Sequence, residues 1–236
     1  MQEMTMSAGM PELKVPTRLR GALEVLAVVL LLPVGGILGS LTGFPPAGAI
    51  MSVLLPLLVA TLFLRRECRS WGSLAFAGSL SIPAILGYTA LALLGGLGLE
   101  FVAGLFKQAV GLPAPDLSAF IGLIEGNLTI YLWMLIPVSW GSAAIGEELL
   151  VRGFMQHRLT GMTGPLLGAF LQALIFGLAH SYQGLSGTLT TFAIGLAFGL
   201  VYLRCRNLVP LIIAHGLIDT FAMTAIYLGY ADLLMS

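Results

Sequence analysis

Four long stretches of the chain carry no Asp, Glu, Lys or Arg: residues 25–64, 70–99, 126–146 and 159–203. Each is long enough for one or two membrane-crossing helices of about 20 residues. A soluble domain needs a charged surface. With 9% charged against 58% hydrophobic residues and a mean hydropathy of +0.98, this chain cannot make one. The strict apolar/polar alternation of a membrane barrel is missing, so the expected fold is all-α, a polytopic transmembrane helical bundle.

The first apolar run is too long for the core of a signal peptide and lacks a small-residue cleavage site, so it reads as a span. The net charge of zero gives no basic balance for nucleic acid, which is not expected as a partner. Cys68 and Cys205 both lie in arginine-rich segments, and a reducing compartment would keep them as thiols.

Reading the runs in order places spans at about 22–42, 48–64, 74–97, 120–157, 165–180, 187–202 and 209–228. That makes seven, or eight if Pro137 separates two helices in the fourth rather than kinking one. The organisation expected is a polar tail at 1–20, amino-terminal helices and a mixed loop over 21–118, and a carboxy-terminal core over 119–236 that holds the remaining polar residues. With seven spans, Lys14, Arg18 and Arg20, then Arg65, Arg66 and Arg69, then Arg158, then Arg204 and Arg206 all fall on one side of the membrane. Lys107 alone falls on the other. That asymmetry predicts a cytosolic amino terminus, in the plasma membrane. His157, beside Arg158, reads as solvated.

Three polar groups interrupt the apolar carboxy-terminal half. The first is Glu147-Glu148-x-x-x-Arg152, in which Glu148 and Arg152 stand in the favourable order for a helical ion pair. Glu147 then points about 100° away, uncompensated by that arginine and suited to general-base work. Charges this deep in a bilayer are costly and default to functional sites, although a pair snorkelling from a helix end is the plainer reading. The second group is Phe176-x-x-x-His180, where the histidine suits a helix cap as well as catalysis. The third is His215-x-x-x-Asp219, whose members share one helical face and would equally serve as a structural pair between helices. Counted from the arginine-rich ends, Glu147, His180 and His215 lie about 16, 24 and 12 Å deep. Helix tilt can absorb that spread.

Glu-Glu-x-x-x-Arg, Phe-x-x-x-His and His-x-x-x-Asp, in this order on successive apolar segments, resemble the CPBP family, the CAAX prenyl protease and bacteriocin-processing intramembrane endopeptidases, over roughly 140–219. The resemblance implies that Glu147 and His180 activate a water, that His215 and Asp219 stabilise the oxyanion, and that Glu148, Arg152 and Phe176 support the site. The family often has Asn where this chain has Asp219, and an aspartate donates a hydrogen bond only when protonated. The implied partners are the bilayer and a protein or peptide substrate, lipidated or a leader peptide. No cofactor is expected. The alternative is a zinc-dependent version of the same protease with Glu147, His180 and His215 as ligands. Two further classes stay open: a non-enzymatic membrane immunity or interaction protein, and a proton-coupled transporter, for which the expected repeated halves are not seen.

Overall fold

The computed structural model describes residues 17–234, so most of the tail expected at 1–20 lies outside them. Thr17 accepts a hydrogen bond from the Arg20 amide at 3.3 Å and opens helix α1 (Arg18–Ser40), which therefore starts earlier than its apolar run suggests. Two prolines begin α2 (Pro45–Arg66), where their missing donors cost nothing. The two helices form a tight antiparallel hairpin. A methyl on Gly35 or Gly39 would run into the carbonyls of Met51 and Ala47. That pair of glycines, four residues apart, lets the backbones touch.

The third span departs from expectation. A short helix α3 (Trp71–Ala75) is followed by an irregular turn, tied by the isolated bridge Phe76–Asn207 and by Leu208 donating its amide to Ala75 at 2.8 Å. The spanning helix α4 (Ile82–Ala109) begins only then. It runs on through Glu100 and Lys107, placed by sequence in a loop. Lys107 Nζ lies 2.6 Å from Glu100 Oε1 and 2.9 Å from the Thr190 hydroxyl, so both charges are paired and the helix need not end. Helix α5 (Ser118–Ile124) follows a loop in which Asp116 accepts from the Ser118 amide and hydroxyl at 3.0 and 2.6 Å. These bonds hold the Asp116 carboxyl below the usual carboxylate range.

The long helix α6 (Leu128–Thr163) settles the question of seven or eight spans. It is continuous, and Pro137 sits inside it. The break falls at Gly126, with φ at +67°, and Asn127 caps the new helix by accepting from the Ile130 amide at 3.2 Å. From Met134 to Gln156 the helix is π-wound. The wider winding removes the clash between a proline ring and the carbonyl four residues back, which is how a spanning helix tolerates proline.

Helix α7 (Pro165–Ala179), α8 (Gly184–Cys205) and α9 (Val209–Tyr227) complete the bundle close to their expected bounds. Six helices are long and apolar enough to cross a membrane. The apolar α7, at 15 residues and about 22 Å, is the seventh, shorter one. The protein is an integral membrane protein, all-helical among the described residues. Large side chains such as Leu30, Leu94 and Leu97 face outward, 58%, 68% and 66% exposed, as a surface wetted by lipid requires.

At the arginine-rich end, buried Arg158 meets Glu67 at 2.9 Å and Glu24 at 3.0 Å, and Arg20 reaches Glu24 at 2.8 Å and Glu67 at 3.4 Å. This network fastens the foot of α6 to α1 and to the end of α2. His157 is not solvated, as its neighbourhood of charge suggested. It is half-buried, and its Nε2 accepts from Arg69 at 2.7 Å.

Candidate active site

Glu148 is the fixed point of the site. Fully buried on α6, its Oε1 accepts from Arg152 Nη1 at 2.8 Å and from His215 Nδ1 of α9 at 2.9 Å. A carboxylate in an apolar interior is tolerated when it is paired and hydrogen-bonded in this way. Arg152, also fully buried, donates its Nη2 to the Gly195 carbonyl of α8 at 3.3 Å. Its guanidinium lies 4.7 Å from the Phe176 ring and 5.4 Å from that of Phe198. Two aromatic faces and one carboxylate thus hold the cation.

Phe176 in turn sets the histidines. Its ring meets His180 edge-on at 4.8 Å and His215 at 6.4 Å. His180 Nδ1 lies 2.9 Å from the Phe176 carbonyl. A carbonyl only accepts, so Nδ1 carries the proton and a neutral His180 keeps its lone pair on Nε2. His215 sits between two carboxylates, with Glu148 at its Nδ1 and Asp219 Oδ1 3.8 Å from its Nε2. Asp219 lies within electrostatic reach of Ser139, His180 and Glu147.

Glu147 is half-buried and makes no hydrogen bond or ion pair to the described residues, yet it acts on His215, Asp219 and Arg152 through its charge. The arrangement therefore contains one carboxylate locked by a cation and an imidazole, and a second beside it held by neither. Trp140 closes one side. Its Nε1 donates to Thr220 at 3.1 Å, and its ring rests where a side chain on Gly216 would be.

Glu148, Arg152, Phe176, His180, His215 and Asp219 meet in one continuous network of contacts, with Glu147 at its edge. Sequence reasoning missed Gln172, Phe198, Ser139 and Tyr182. Gln172, fully buried on α7, donates to Gly195 O at 2.9 Å, the same carbonyl that Arg152 uses. Its signal was legible, as the one glutamine in the apolar segment 165–180. Tyr182, 5.8 Å from the His180 ring, carried no such signal. Among the described residues no three His, Cys, Asp or Glu side chains gather at metal-ligand spacing.

Residues 129–221 match a family model described as type II CAAX prenyl endopeptidase Rce1-like. The segment is similar to that family over less than half of the chain. The resemblance read from the three motifs is borne out, and the matched stretch holds every residue of the network above. No curated protein and no solved structure matches the chain. The Rce1-like family is one of proteases, and the match supports a protease activity set within a membrane.

Proposed function

We propose that the protein is a metal-independent endopeptidase that cleaves a membrane-associated protein or peptide, of CAAX type or a leader peptide, with a water activated by Glu147 and His180. The observation that carries this reading is the pairing of a locked Glu148 with an unpaired Glu147 one residue away. Glu147 takes a proton from water as its oxygen attacks the scissile carbonyl. His180, with its lone pair on Nε2, shares that proton. His215 and a protonated Asp219 offer donors to the oxyanion. As the C–N bond breaks, the proton passes to the leaving amine. Preorganised donors of this kind are worth about 100- to 1,000-fold in rate each. Glu148 and Arg152 hold His215 and Phe176 in place and touch no substrate. The catalytic core is 119–236, and the arginine-rich end faces the cytosol across the plasma membrane.

Cleavage of a fluorogenic prenyl-peptide and a panel of leader peptides by detergent-purified protein tests this. Parent, Glu147→Ala and His215→Ala are compared with and without a strong chelator. Activity lost in both variants and indifferent to chelator is the expected result. Activity abolished by chelator and restored by zinc would install the metal-dependent alternative. Variants that cleave as well as the parent would sink the mechanism, and a chain silent on every substrate would favour the non-enzymatic reading.

A further inference from the structure

Where α1 begins and α2 ends, a cavity of about 450 Å³ opens to the outside of the bundle, lined by Arg20, Leu23, Glu24, Phe63 and Arg66. It lies far along the chain from the Rce1-like segment and belongs to no part of the site described above. Its charged groups are unequal. Glu24 is spoken for, held between Arg20 and Arg158. Arg66 is exposed and makes no hydrogen bond or ion pair to the described residues. Arg20 spends one side of its guanidinium on Glu24 and Glu67 and leaves its side chain 40% exposed.

The remaining walls are apolar, and they continue. Leu23, Leu26 and Leu30 present an outward stripe running from the cavity along α1 into the spanning part of the helix. A pocket with guanidinium groups at the level of a helix end and a greasy track leading away from it has the two chemistries of a phospholipid in their natural order. Basic pockets between spanning helices take anionic headgroups, and guanidinium forks match phosphate oxygens in a bidentate fashion.

We propose that this cavity holds the phosphate of an anionic phospholipid, gripped by Arg66 and Arg20, with the acyl chains laid along the Leu23–Leu26–Leu30 face of α1. Glu24 and Glu67 are matched by Arg20 and Arg158, so the uncompensated charge of the lining is that of Arg66. The lipid would seal the open side of the α1–α2 hairpin at the same end where buried Arg158 fastens that hairpin to α6.

The test uses the purified full-length chain in neutral detergent at low salt. Dioleoyl phosphatidylglycerol, dioleoyl phosphatidylcholine or soluble glycerol phosphate is added, and retained lipid is counted by native mass spectrometry. Phosphatidylglycerol is expected to be retained at least about tenfold better than phosphatidylcholine. Arg66→Gln is expected to lower that retention about tenfold, and Arg66→Lys, which keeps the charge but not the fork, to lower it by a smaller factor, with the unfolding midpoint unchanged in both. Arg65→Gln, one residue along and outside the lining, should change it less than about twofold. Equal retention of the two lipids, or equal losses in the Arg65 and Arg66 variants, would overturn the proposal in favour of unspecific attraction to a basic end. Displacement of phosphatidylglycerol by an equal concentration of glycerol phosphate would assign the cavity to free phosphate and overturn the lipid reading.

Discussion

Glu147 and Glu148 differ in surroundings because successive residues on a helix point in different directions, and only one of them can face both Arg152 and His215. Their substitutions should therefore separate cleanly. Glu147→Gln leaves the hydrogen bonds of Glu148, Arg152 and His215 intact and is expected to lower cleavage about 100- to 10,000-fold, the worth of a general base, with the unfolding midpoint in detergent unchanged. A large drop in that midpoint would show that Glu147 is structural instead. Arg152→Lys makes the opposite kind of change. The charge stays, but the fork that spans Glu148 and the Gly195 carbonyl is lost, as is the flat stacking on Phe176 and Phe198. Each hydrogen bond to a charged group contributes about 1.5–3 kcal/mol, so a loss of about 2 kcal/mol in denaturant unfolding is expected. An unaffected stability would mean that the pair is replaceable. These residues were legible in the sequence because an ionisable side chain stands out against an uncharged background. Ser139 was not, since a serine is unremarkable in any helix.

At the scale of elements, the misplaced break in the fourth span is instructive. Proline is the commoner helix breaker, so Pro137 drew attention, yet π-winding absorbed it and Gly126 with the Asn127 cap made the real start. Sequence reports the cost of an isolated proline, not the rearrangement that relieves it. The third span was misjudged for a related reason: the Glu100–Lys107–Thr190 cluster cancels charge that seemed to demand a loop. The α1–α2 hairpin allows a sharp comparison between neighbours. Gly35→Ala drives a methyl into the Met51 carbonyl, whereas a methyl on Gly36 meets only Ser52 Cβ at 3.8 Å, an ordinary contact. Gly35→Ala should cost about 1–3 kcal/mol and Gly36→Ala close to nothing, read as unfolding midpoints of the two variants side by side. Equal tolerance of both would refute the close backbone approach.

For the whole molecule, the sidedness of charge becomes a labelling experiment. Cys68 is exposed and Cys205 is buried, its thiol donating to the Asn207 carbonyl at 3.2 Å, and both lie at the arginine-rich end. A membrane-impermeant maleimide should label one thiol quickly, and only when it reaches the cytosolic face of sealed vesicles. Labelling from the outside would invert the orientation. The number of spans and the order of the polar motifs could be read in advance, because bilayer thickness fixes the first and chain order the second. The ion network joining Arg20, Glu24, Glu67 and Arg158 could not, since it joins distant segments that only packing brings together. Trp140, finally, lies with its ring against Gly216, the residue next to His215, and its indole bonded to Thr220. The other two tryptophans, Trp71 and Trp133, belong to α3 and the first turns of α6. With both of those replaced by phenylalanine, the molecule carries a single tryptophan emitter beside His215, and the arrival and departure of a ligand at that network would become optical events that can be timed.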